Sequence, residues 1–166
     1  MKRLPLILAV IFLSGCFTHL PFKRDTAVPL PEFSGNVVDA AKLKTAAKLG
    51  FSSFRAGPQA AADDQLDRLS LMLIKGIKDS LEAKKVSLAT TDQEEGADVV
   101  MDGYIEEFSR KRFSVSGELW DKETGAKVLV FGASRVLRPK KDNPMDTAYE
   151  VGTVIGDYIA AQRSGT

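Results

Sequence analysis

The chain is 166 residues long and carries 23 Lys and Arg against 22 Asp and Glu, with one His and one Cys. Such a balance excludes a general nucleic-acid binder, whose footprint is a strong basic excess, and a lone Cys16 excludes any disulfide within the chain. The length fits one small domain that must stand on its hydrophobic core.

Lys2 and Arg3 give a short positive start, residues 4–13 are apolar apart from Pro5, and Ser14-Gly15 places small side chains before Cys16. This is the layout of a secretory signal peptide, and the apolar run is too short to span a bilayer, which needs roughly 20 residues. Leu13-Ser14-Gly15-Cys16 resembles the lipobox of bacterial lipoproteins. The resemblance implies removal of residues 1–15, acylation of Cys16 on its sulfur (a palmitate-type modification) and acylation of the new N-terminus. The alternatives are a secreted protein whose mature form begins near a cysteine, and a cytosolic chain with an apolar start. One acyl chain binds a membrane only marginally, whereas two or three hold a protein there stably without spanning it. By the same resemblance, Phe17 rather than an aspartate after the cysteine favours the outer membrane, with the domain facing the periplasm. Loss of Lys2 and Arg3 with the signal leaves 21 basic against 22 acidic residues, a net of −1.

Residues 16–41 contain Pro21, Pro29 and Pro31 and no sustained period. Each proline fixes φ and biases its predecessor away from helix, so this stretch reads as an extended tether reaching at most about 80 Å. The domain is then expected over 42–166.

Within it, residues 49–54 suit a strand closed by Gly57-Pro58. Asp63 or Asp64 is expected to open a helix, its acidic pair complementing the positive end of the dipole, with Leu66, Leu69, Leu73, Ile77 and Leu81 along one face. Gly76 beside that stripe costs about 1 kcal/mol against alanine, so close approach to a neighbouring element is its expected use. A short strand over 86–89 and a polar loop follow. Val99, Met101, Gly103 and Ile105, then Phe113, Val115, Gly117 and Leu119, alternate as two strands with one buried face, and "DKETG" turns the chain into a third over 126–137. Asp142 or Asn143 can cap a last helix with Pro144 at its first position; its Gly152 and Gly156 form a G-x-x-x-G that, beside Asp146, Glu150 and Asp157, suits close packing in a soluble helix rather than membrane dimerisation. The expected architecture is α+β: a single mixed or antiparallel sheet, ordered strand, helix, strand, three-stranded meander, helix, with two helices packed on one face.

"DGYIEEF" and the hairpin "LWDKETGAKVLVF" within this order resemble the periplasmic α/β domain of lipoproteins such as the penicillin-binding-protein activator and the curli-secretion lipoprotein. The resemblance implies a non-enzymatic binder or assembly factor. No long pore-forming insertion is found, and no binding residue transfers by motif.

His19 is the only histidine and lies in the tether, so neither a Ser-His-Asp system nor a His-rich metal site can be assembled within one chain. Asp63, Asp64 and Asp67 at a helix start, and Glu94, Glu95 and Asp98 in a loop, read as dipole partners and a solvated loop, with no calcium-loop spacing. No catalytic residue, metal site or cofactor is expected. Trp120, with Tyr104 and Phe108 on the neighbouring strand, is expected to cover the edge of the core, an exposed aromatic contact surface being the alternative.

The meander brings two basic loops to one end. Arg110, Lys111 and Arg112 at one turn, and Arg138, Lys140 and Lys141 at the exit of the third strand, are expected together there, while Glu94, Glu95, Asp98, Asp121 and Glu123 gather at the other end. The basic end is a candidate patch for an anionic partner, either phosphate headgroups or an acidic protein; plain solubilising charge is the alternative. The sequence thus points to a lipid-anchored, non-enzymatic binding or adaptor protein of the envelope, with an envelope protein as partner. An accessory or assembly subunit of a secretion or transport machine comes second, and an enzyme third; the oligomeric state is open.

Overall fold

A computed structural model describes residues 29–58, 60 and 65–165, so the signal sequence, Cys16, Phe17, His19, Asp63 and Asp64 lie outside the described residues. In chain order the elements are β1 (Glu32–Val37), α1 (Ala40–Thr45), β2 (Lys48–Phe51), β3 (Arg55–Ala56), α2 (Leu66–Ala83), β4 (Ala89–Thr91), β5 (Val99–Phe108), β6 (Arg112–Asp121), β7 (Lys127–Val136) and α3 (Pro144–Ser164).

The meander forms where period-2 patterning placed it. Val99, Met101 and Ile105 of β5, Phe113, Val115 and Leu119 of β6, and Leu129, Phe131 and Ala133 of β7 are buried on one side of the sheet. β5 and β6 pair antiparallel with Ile105 opposite Val115, and β6 and β7 with Leu119 opposite Leu129. Gly103 and Gly117 face one another in this register. A side chain on either would collide with the ring of Phe54 or Phe131, which fill the inner layer in its place.

On the far side of β5, β2 and β3 run parallel to it, and β4 lies parallel to β2. The sheet order is β1-β7-β6-β5-β2-β4, so the expected single mixed sheet is present with seven strands and helices on one face. The expected strand over 49–54 forms only as far as Phe51, in β2, with the two-residue β3 lying beyond it, and the short strand expected over 86–89 is displaced to β4.

The expected tether ended at residue 41, and the structure corrects that boundary. β1 pairs antiparallel with β7 from Glu32 opposite Ser134 to Val37 opposite Leu129. Phe33 reaches the core, its ring centroid 4.6 Å from that of Tyr158 and 6.4 Å from that of Phe131. α1 follows, capped by Asp39, whose Oδ1 accepts from Lys42 N at 2.9 Å.

α2 and α3 lie against one another at their glycines. A Cβ on Gly76 would fall well under 3.0 Å from the carbonyl oxygen of Tyr149, one on Gly152 from that of Leu73, and one on Gly156 would be 2.7 Å from that of Ile77. Backbone meets backbone, which is the close packing that the G-x-x-x-G implied. Asn143 caps α3, its Oδ1 accepting from Met145 N at 2.9 Å, with Pro144 opening the first turn. Among the described residues no helix is long and apolar enough to cross a membrane.

Candidate functional site

The basic end is built from two loops tied together. Ser109 closes the β5–β6 turn: its Oγ accepts from Lys111 N and Arg112 N at 3.2 and 3.1 Å and donates to Glu107 at 2.8 Å. Leu137 N donates to the Lys111 carbonyl at 2.7 Å, which fastens the exit of β7 to that turn. Asp142 then folds the exit loop back, accepting from Arg138 N and from Arg138 Nη2, each at 2.8 Å. The hydrogen bond from the Arg138 side chain, followed by that from its backbone N–H, holds the Asp142 carboxyl below the usual carboxylate range.

All six predicted basic residues therefore stand at one end, but they divide by what they touch. Arg138 is bound to Asp142, and Arg112 reaches Ser134 Oγ at 2.9 Å and Glu32 at 3.9 Å. Arg110, Lys111 and Lys140 are exposed and enter none of the ion pairs among the described residues. Lys141 is exposed as well. Lys140 sits at the tip of its loop with φ of 67°, a left-handed conformation uncommon for a side chain of its size. Between the loops lies a concavity of about 790 Å³, bordered by Phe108, Arg110, Leu137, Lys140 and Pro144.

A seventh basic residue here escaped the sequence reading. Arg135 continues the inward set Leu129, Phe131, Ala133 and is only 4% exposed, paired with Glu150 of α3 and 3.9 Å from Asp142. Strict alternation along β7 marks it as inward. Its Nε and the buried Thr147 Oγ1 have no hydrogen-bond partner, so this joint between sheet and helix is incompletely satisfied.

The opposite end is mixed rather than acidic, which corrects the expected polarity. Asp121 pairs with Lys42 at 2.9 Å and Glu94 lies 3.7 Å from Lys122. The bond from Lys42 depresses the Asp121 carboxyl and raises Lys42 in return. Asp98 is a structural acceptor rather than a solvated loop charge, bonded by Ala47 N at 2.7 Å and Lys48 N at 2.9 Å where β2 begins beside β5. Glu95 and Glu123 are exposed there, whereas Asp67, also exposed, stands in the first turn of α2, whose Gln65 borders the concavity at the basic end. Among the described residues no group of three His, Cys, Asp or Glu is placed to hold a metal ion.

The sheet face away from the helices is open. Ser114 and Ser116 of β6, Gly132 and Ser134 of β7 and Ser34 of β1 form its small-residue middle, with shallow concavities of about 420 and 280 Å³. The aromatic residues expected at the core edge divide here: Tyr104 is 39% exposed beneath Arg55, 4.8 Å from its ring centroid, while Trp120 is half-buried with Lys122 at 5.7 Å and Phe108 is half-buried.

The fold is therefore an open, mixed α+β sheet covered by helices on one face. No family model and no curated protein matches the chain. Solved structures do share the fold. The PelC dodecamer from Paraburkholderia phytofirmans superposes with a TM-score of 0.58 at 14% identity, covering 79% of this chain and 98% of that chain. A variant of the PelC dodecamer from the same organism, in a second crystal form, gives 0.57 at 15% identity with the same coverage. A DUF4136 family protein from Bacteroides thetaiotaomicron covers 77% of this chain and 94% of its own at 8% identity, with a TM-score of 0.44 too low to carry an argument. At these identities the likeness to PelC is one of fold.

Proposed function

We propose that this protein is a lipid-anchored, non-enzymatic binding or adaptor protein of the cell envelope, held at the outer membrane through acylated Cys16 and facing the periplasm. The observation that carries the binding reading is the sheet face away from the helices: among the described residues it is uncovered and offers a small-residue surface flanked by Tyr104 and Trp120. Antiparallel sheets can leave one face to solvent, and aromatic side chains at its margins are suited to gripping a partner. A photo-crosslinking residue in place of Ser116, used in intact cells, tests this. A specific stoichiometric adduct is expected, and its absence, with a control residue on α2 crosslinking equally, removes the adaptor reading.

A second reading, a subunit of an envelope secretion or transport assembly, is favoured by the fold shared with PelC, which forms a dodecamer. The mass of the detergent-solubilised mature protein separates the two: a ring of copies supports the assembly, a monomer with one foreign partner the adaptor.

A further inference from the structure

We propose that the basic end of the sheet is the end the domain turns toward its membrane, and that Arg110, Lys111 and Lys140 bind the phosphates of anionic lipid headgroups there. The proposal rests on the reading of Cys16 as the anchor and adds the orientation and the lipid contact.

The topology decides where the anchor enters. β1 is antiparallel to β7, so it begins where β7 ends, with Glu32 opposite Ser134 and 3.9 Å from Arg112. Chain arriving from Cys16 thus joins the domain at the end that carries the two basic loops. Fifteen residues, 17–31, can reach about 50 Å at most, whereas the far end of the sheet lies a further roughly 30 Å away, the length of a ten-residue strand. The basic end is accordingly held nearest the bilayer, and contact with it becomes an intramolecular event at high effective concentration.

Charge at the two ends agrees with that direction. At the near end Glu32 faces Arg112, Glu107 accepts from Ser109, Asp142 is bound by Arg138 and Glu150 by Arg135, which leaves Asp67 and Asp146, in the first turns of α2 and α3, against exposed Arg68, Arg110, Lys111 and Lys140. At the far end Lys42 and Lys122 are matched by Asp121 and Glu94, while exposed Glu95 and Glu123 stand with exposed Lys44, so that end is mixed. An anionic surface attracts the first end more than the second. Apolar side chains support the same contact: Leu30, just upstream of β1, is 84% exposed and Val136, opposite Arg112, is 53% exposed. Cations with scattered apolar groups suit the headgroup zone. An acidic protein is the competing occupant, but only the membrane accounts for the chain entering here.

The full mature chain with Cys16→Ser, which carries no acyl group, is sedimented with vesicles of phosphatidylethanolamine alone or mixed with phosphatidylglycerol. Binding is expected only to the mixed vesicles and should weaken with salt. Each basic side chain at such a surface multiplies partition about 5-fold, so Arg110→Gln with Lys140→Gln should lower it roughly 25-fold. Lys122→Gln with Lys127→Gln, at the far end, should leave it unchanged. Equal binding to neutral vesicles, equal loss in both double variants, or no partition at all overturns the headgroup site. So does loss, in the first variant, of a specific protein crosslink in cells with vesicle binding intact, which would assign the end to an acidic partner. The mass of the wild-type mature protein tests the anchor separately: a free Cys16 thiol removes the tether and the orientation with it, whereas an acylated Cys16 without vesicle binding removes the headgroup site alone.

Discussion

Gly152 shows how much a single hydrogen atom decides. Alanine is worth about 1 kcal/mol more than glycine in a helix interior, yet its methyl would be driven into the Leu73 carbonyl across the α2–α3 contact. Forcing two packed helices apart costs more than propensity returns, and Gly152→Ala should lose about 3 kcal/mol. Gly132 is the control. A Cβ there meets Ser34 Oγ at 3.4 Å and the Val115 carbonyl oxygen at 3.9 Å, both ordinary contacts, so Gly132→Ala should stay within about 0.5 kcal/mol of wild type. Urea unfolding followed by Trp120 fluorescence measures both; equal effects would mean that the helices do not touch through their backbones. The spacing of Gly76, Gly152 and Gly156 made this contact readable as close packing, though the partner was not. Arg135 was readable in principle, since alternation along β7 turns it inward, but a charge in that position competes with the rule that charges face water. Its release lies in Glu150 and Asp142, which reach it only once α3 is folded over the sheet.

Elements were legible in proportion to how local their evidence is. β5, β6, β7 and α3 carry their own periods, turns and cap, and they form where the pattern places them. β1 does not. Six residues following Pro29 and Pro31 offer one aromatic and one Val, and the position between them is Gly35, because the Tyr158 ring occupies the space a side chain would take. A strand whose inward residue is missing reads as tether. The same non-locality hides the parallel pairing of β2 with β4 and β5, whose partners lie far along the chain. The energy of β1 is correspondingly concentrated in Phe33, which is stacked between Phe131 and Tyr158. Phe33→Ala should cost about 2 kcal/mol, less than a fully buried phenylalanine. Hydrogen exchange localises the effect: amides of 32–37 should lose protection while those of 112–121 keep theirs. Uniform loss across the sheet would show instead that β1 is part of its cooperative centre.

At the scale of the molecule, three carboxylates hold three joints. Asp121 ties α1 to the end of β6 through Lys42, Asp79, paired with Lys75 within α2, ties that helix to α3 through Tyr149, and Asp142 closes the basic loop through Arg138. Each is held below the usual carboxylate range, first by the hydrogen bond from its cation. A depressed folded value means that the stabilisation is complete above the unfolded value and disappears as pH falls through the folded one, so loss begins below about pH 4. The same bonds raise Lys42 and Lys75, whose contribution is complete below the ordinary lysine value and is lost only in strong alkali. Between these limits the one histidine is His19, outside the described residues, so no imidazole among the described residues charges near neutrality. The urea midpoint should therefore be flat from about pH 5 to about pH 9 and decline below about pH 4. A step between pH 6 and 7 would contradict this assignment of the titrating groups. Asp142→Asn isolates the joint that matters for the basic end. It replaces a charge-assisted bond to Arg138 with a neutral one, and should cost about 2 kcal/mol at pH 7 while making the acid decline shallower. Because the variant removes one negative charge beside Arg110 and Lys140, it should bind anionic vesicles more tightly than wild type even as it unfolds more readily, a divergence of affinity from stability that general loosening of the fold does not produce.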